Sequence, residues 1–214
     1  MIYLKEKLIF IHIPKTGGTS IENIWVNDPE FAAARRPHKF LLKKYKEQNK
    51  YPDVIFPNTV HHSLKWAKKW IKDNNYNYSD FTSFTIVRNI WEMIRSYYLY
   101  KARNDSHFAK NKTFKEHVDN FLKYKKQFLV KNEEILNNID QYDYVLMQEN
   151  LNDDFNSMCG NLELNHLIGK LQVCNKTMED KTHLHFKRAQ VEYLQYLFDD
   201  YFEKFKYPKD PKNN

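Results

Sequence analysis

Leu8-Ile9-Phe10-Ile11-His12-Ile13-Pro14-Lys15-Thr16-Gly17-Gly18-Thr19-Ser20 is the stretch whose reading decides the fold. Its first four residues form a short apolar run of the kind that builds a buried parallel strand. Pro14 has no N–H to give to a ladder and stops the strand. Beyond it, Ile21, Ile24 and Trp25 recur at helical spacing, and Thr19-Ser20 are residue types that favour a helix start. The chain has four glycines, and two of them adjoin here. Glycine lets backbone N–H groups approach a ligand that a Cβ would obstruct. Strand, glycine turn and helix N-terminus together make an anion site, where N–H donors and the positive end of the helix dipole converge. Lys15 adds a mobile positive charge. The loop Lys15, Thr16, Gly17, Gly18, Thr19, Ser20 is therefore predicted to hold a phosphate or phosphate-like group. A nucleoside-triphosphatase loop needs G-x-x-x-x-G-K-[ST], with lysine after the glycines. Here Lys15 precedes them and no glycine lies upstream, so the residue order rejects the standard form of that loop.

Outward from this stretch, Phe81 to Val87 reads as a second buried strand, rich in aromatic and β-branched residues, ending at Arg88-Asn89. Tyr144 to Met147 is a third strand candidate. Helices are predicted from Ile90 to about Ala102, from Phe114 to Leu129, from Glu149 to Met158 and from Arg188 to Phe205. His61-His62-Ser63 opens another, with Leu64, Ala67 and Ile71 on one face and Trp66 and Trp70 extending it. A helix over 40–47 and an extended piece over 53–58 complete the reading. Strands alternating with helices imply an α/β fold with a parallel sheet, whose ligands sit at the carboxyl ends of the strands. Lys15 and Arg88 both lie just past such ends, so they are expected to face one crevice.

The length of 214 residues suits a single domain over 1–214 with a sizeable core. Aromatic residues make up 16% of the chain, so Phe, Tyr and Trp should fill much of that core. The net charge of +7 admits nucleic acid, an acidic glycan or a polyanionic cofactor as partner. A solvated lysine surface is the simpler account of most of these charges. The two cysteines, Cys159 and Cys174, form no C-x-x-C pair, and no His/Cys set has zinc spacing, so no metal site is expected; two free buried thiols are the simpler reading and a single structural disulfide the alternative. No signal-peptide pattern and no apolar run of about 20 residues is present, which points to a soluble, cytoplasmic protein.

The order P-K-T-G-G-T-S resembles the 5′-phosphosulfate loop of sulfotransferases that use 3′-phosphoadenosine 5′-phosphosulfate (PAPS). The wider H-I-P-K-T-G-G-T-S-I-E is similar to the family-2 branch, which includes carbohydrate sulfotransferases. Phe84 to Tyr98 resembles that branch's 3′-phosphate motif, V-R-N-P-W-x-R-L-x-S-x-Y; Arg88 and Ser96 match the residues that hold the phosphate. Ile90 replaces the usual proline and Met93 replaces an arginine. The family's base is a histidine at a helix start between the two motifs, which implies His61 or His62, with Glu22 and Glu92 as fallbacks. Glu149-Asn150-Leu151 resembles part of a family R-F-E-N-L element, read as mainly structural. Val173 to Thr177 resembles an H-L-N-K-S loop whose Lys176 and Thr177 would close over the cofactor. Phe205-Lys206-Tyr207 resembles the family's F-G-Y end.

The resemblance implies a compact member with a P-loop-like three-layer α/β fold, a central parallel sheet flanked by helices. The function it implies is sulfuryl transfer from PAPS to a hydroxyl, on a carbohydrate by the family pattern, without metal and leaving 3′,5′-ADP. Three rivals stand beside it: a P-loop small-molecule kinase, a non-catalytic basic domain that binds nucleic acid or another polyanion, and a degenerate sulfotransferase that binds without turnover. The kinase lacks an evident Mg²⁺-holding Asp, and the basic domain leaves the Lys15 loop unexplained. Nucleic acid is therefore not the expected partner.

Overall fold

The computed structural model describes residues 1–26, 44, 47–56, 63–105, 110, 112–123, 139–172 and 184–211. His61, His62, Cys174, Lys176, Thr177, most of the helix expected over 40–47 and the far end of the helix expected to reach Leu129 lie outside them. The strands are β1 (Ile2–Tyr3), β2 (Leu8–Ile11), β3 (Val54–Ile55), β4 (Thr82–Val87) and β5 (Tyr144–Met147). The α-helices are α1 (Gly18–Val26), α2 (Leu64–Asp73), α3 (Ile90–Asn104), α4 (Phe114–Lys123), α5 (Leu151–Asn161), α6 (Arg188–Leu197) and α7 (Asp199–Phe205). They fall into two compact units, Met1–Arg88 with Glu133–Lys176, and Asn89–Asn132 with Thr177–Asn214.

The first unit is built on a mixed five-stranded sheet in the order β3-β1-β2-β4-β5. Its centre is parallel, as the alternating pattern predicts: β4 pairs with β2 on one side and β5 on the other. Strand β1 is antiparallel to both β2 and β3. Strands of two residues carry no periodic signal, so neither β1 nor its antiparallel pairing is visible in the sequence. Phe10 of β2 stacks on Phe84 of β4 with ring centroids 4.9 Å apart. Around them Ile21, Ile86, Leu146, Phe155, Met158 and Cys159 make one buried cluster. Each large side chain so buried is worth about 1.5–3 kcal/mol over exposure. The Thr85 hydroxyl donates to the Ile11 carbonyl at 2.7 Å, a tie between the two strands near their carboxyl ends. Cys159 is a free thiol, and its burial raises its pKa to about 11.

The second unit is helical. Trp91 on α3 is fully buried, stacked on Phe202 with centroids 5.3 Å apart and edge-on to Phe186, and its indole N–H donates to the Pro208 carbonyl. The helix expected over Arg188 to Phe205 is instead two, α6 and α7, broken at Phe198 (φ −120°, ψ 23°). The cause is local: the Phe198 ring is buried, and Asp199-Asp200 supply the acidic first turn that suits a new helix start. Lys206, which stands where the family's F-G-Y has glycine, adopts the left-handed conformation at φ 53° and ends α7.

Candidate functional site

All four residues of β2 are buried, and the chain leaves the sheet through His12 and Ile13, also buried. The turn that follows needs two positive φ angles, 68° at Lys15 and 92° at Gly17. Glycine meets the second without strain. A side chain at Gly17 would also touch Leu151 at 3.3 Å and Gln148 at 3.5 Å. For Lys15 the left-handed conformation costs roughly 1 kcal/mol, and strain of that kind persists where the surroundings over-determine it, often at ligand clamps. The Thr16 hydroxyl, 1% exposed, donates to the Ile13 carbonyl at 2.8 Å and pins the turn from inside. The Gly17 carbonyl accepts from the Ser20 N–H at 2.9 Å, so α1 opens at Gly18, one residue ahead of the expected Thr19-Ser20 start. Its first turn carries no acidic side chain. A helix start leaves its first amides without intrahelical partners, and here nothing negative in that turn opposes the dipole.

Gly18 has a different reason to be glycine. Its φ is ordinary, but a Cβ there would lie 2.5 Å from the His12 ring atoms Cδ2 and Nε2. His12 Nδ1 stands 2.9 Å from Glu22 Oε1, a distance at which the ring N–H donates to the carboxylate, and both side chains are buried. The two residues are the first and last of the stretch H-I-P-K-T-G-G-T-S-I-E, yet nothing in residue spacing signals that they touch.

Strand β4 runs parallel beside β2, with Thr85 opposite Ile11, so Arg88 emerges at the same end of the sheet as the loop. Arg88, expected to face one crevice with Lys15, touches the main chain of the loop: its Nη1 donates to the Lys15 carbonyl at 3.0 Å. Strand β5 ends in a short 3₁₀ turn, Gln148–Asn150, from which Leu151 starts α5 against Gly17. The Glu149-Asn150-Leu151 element thus contributes packing to the loop.

Ser96 lies on α3 of the second unit, about two turns beyond Arg88, and is buried. Ile90 and Met93, the two departures from the family motif, are buried core residues there. Arg95 supplies the local ion pair instead: it bonds Glu92 at 2.8 Å, donates to the Leu184 and Pro211 carbonyls and lies over the Phe186 ring. Of the fallback bases, Glu22 is fully buried against His12 and Glu92 is engaged by Arg95. Among the described residues no group of three or more His, Cys, Asp or Glu is arranged to hold a metal ion, and no helix is long and apolar enough to cross a membrane.

Residues 1–208 match the family model described as "Sulfotransferase family", a span that takes in nearly all of both units. No curated protein and no solved structure matches the chain.

Proposed function

The chain belongs to the sulfotransferase family, and from that premise we propose that it moves a sulfuryl group from PAPS to an acceptor hydroxyl, with a carbohydrate as the acceptor class. The observation that carries this reading is the Arg88 bond to the Lys15 carbonyl, which unites two motifs 73 residues apart in sequence. The residues present fit an anionic group: a loop with two left-handed residues, a helix start without acid, a lysine and an arginine.

PAPS supplies the sulfuryl group, which passes to the acceptor oxygen by in-line displacement. The backbone amides of Thr16 to Thr19 and the start of α1 bind the 5′-phosphosulfate in a P-loop-like arrangement. Lys15 offsets charge that develops on the sulfuryl and bridging oxygens, a preorganised electrostatic contribution. Arg88, with Ser96, holds the 3′-phosphate, because a planar guanidinium suits phosphate oxygens. This selects the donor over ATP. His61 or His62 accepts the acceptor's hydroxyl proton. Lys176 and Thr177 complete the cofactor contacts, and no metal takes part. Residues 1–214 are read as one functional domain.

The test is a thermal-shift panel of 3′,5′-ADP, PAPS, ATP and AMP. A ligand that binds only the folded chain raises its melting temperature, by about 2.7 kcal/mol of stability at one hundred times Kd. Stabilisation by the two 3′-phosphorylated nucleotides and by neither of the others is the expected result. Stabilisation by ATP with Mg²⁺ instead would transfer the reading to a kinase.

A further inference from the structure

The buried pair His12–Glu22 takes no part in the chemistry proposed above, yet it lies directly beneath the loop. Its cost is evident: an imidazole 7% exposed and a carboxylate fully buried stand where apolar residues would pack more simply. Three contacts say what it does. The His12 ring packs face to face with Phe10, centroids 5.7 Å apart, which anchors it to the central strand. Its Nδ1 is held by Glu22 at 2.9 Å, which sets the rotation of the ring. Its opposite edge, Cδ2 and Nε2, fills the space that a side chain at Gly18 would occupy. Gly18 and Glu22 are four residues apart on α1, hence on one face of the helix. The ring is therefore a strut wedged between the first turn of α1 and the sheet, clamped at both ends of that turn.

We infer that His12 is a positioning residue for the anion-binding loop. Acting through Glu22, it sets the height and tilt of the first turn of α1 over β2, and so the direction in which the amides of residues 16–19 point. The pair explains why Gly18 is glycine although its backbone does not demand it. The proposal rests on the reading of the loop as an anion site.

Two measurements test it. The first is the affinity for 3′,5′-ADP by calorimetry in the wild type, His12→Ala, Glu22→Ala and Glu22→Gln. Each alanine variant is expected to bind at least tenfold more weakly in its folded form, while Glu22→Gln, which keeps an acceptor facing Nδ1, recovers most of that loss. A merely structural role would lower the melting temperature of the variants and leave the affinity of the folded protein unchanged, and that result overturns the inference. The second is amide hydrogen exchange, which needs no ligand. In His12→Ala the amides of residues 15–20 should exchange at least tenfold faster while those of β4 and β5 stay as in the wild type. Should the wild type bind no 3′,5′-ADP, the donor assignment falls and exchange alone decides: unchanged protection at 15–20 overturns the role of His12, and selective loss supports it. The double variant His12→Ala/Gly18→Ala guards against a trivial folding failure. It should be more stable than Gly18→Ala alone, since the ring that clashes with the new Cβ is gone; equal destabilisation would remove the strut.

Discussion

Two strand–turn–helix junctions in this chain follow the same plan and are finished differently. At the first, β2 to α1, the turn takes two left-handed residues, and the first turn of the helix has no acidic side chain. At the second, β4 to α3, no φ is positive and the Asn89 side chain caps the helix by accepting from the Trp91 N–H at 3.0 Å. Glu92 adds an acid to that helix's first turn and pairs with Arg95. The second helix start meets its own dipole with a side-chain cap and an acid, whereas the first turn of α1 brings no acid of its own. A capped start stabilises the fold. A start reached through a left-handed lysine, with no acid in its first turn, costs stability.

That contrast predicts effects on turnover at the first junction and on stability at the second. The largest is expected at Lys15: Lys15→Ala should lose about 2–4 kcal/mol of transition-state stabilisation, by analogy with removal of one oxyanion-hole donor, with little change in melting temperature. A steady-state rate of sulfuryl transfer equal to the wild type would break the contrast. Next comes a pH effect confined to the second unit. Burial, and secondarily the Lys101 ammonium, lower the pKa of His117 on α4 from 6.5 to about 4. The unfolded chain therefore binds this proton more readily than the folded one. Stability is full above pH 6.5 and falls as the pH drops from there toward 4, by on the order of 2–3 kcal/mol. Denaturant titrations across that range should show the acid limb, and His117→Leu should flatten it. Asn89→Ala should then cost about 1 kcal/mol through the lost cap, measured as a lower denaturation midpoint with amide exchange at residues 15–20 unchanged. The smallest effect is a gain. Lys206→Gly relieves a left-handed lysine and should stabilise by up to about 1 kcal/mol, seen as a higher melting temperature.

How legible these features are in sequence follows from the length of the signal. β2, β4 and β5 are runs of four to six residues between turn signals, and the structure places strands inside the predicted bounds. β3 falls inside the extended piece expected over 53–58, whereas β1 has two residues and gains its geometry only from pairing across the sheet. The break at Phe198 is hidden because helical spacing continues through it; what interrupts the helix is a buried ring. The loop and Arg88 are readable as motifs, and the parallel strand order they imply is what lets Arg88 reach Lys15. His12 is invisible as a functional residue, since its meaning lies in three spatial contacts and in the vacancy at Gly18.

Isothermal titration of 3′,5′-ADP into the wild type and into Arg88→Ala addresses the central claim most directly. The account predicts saturable binding to the wild type and a loss of at least tenfold in Arg88→Ala, with AMP, which lacks the 3′-phosphate, binding both proteins weakly and alike. Equal affinity of the two proteins for 3′,5′-ADP would contradict it.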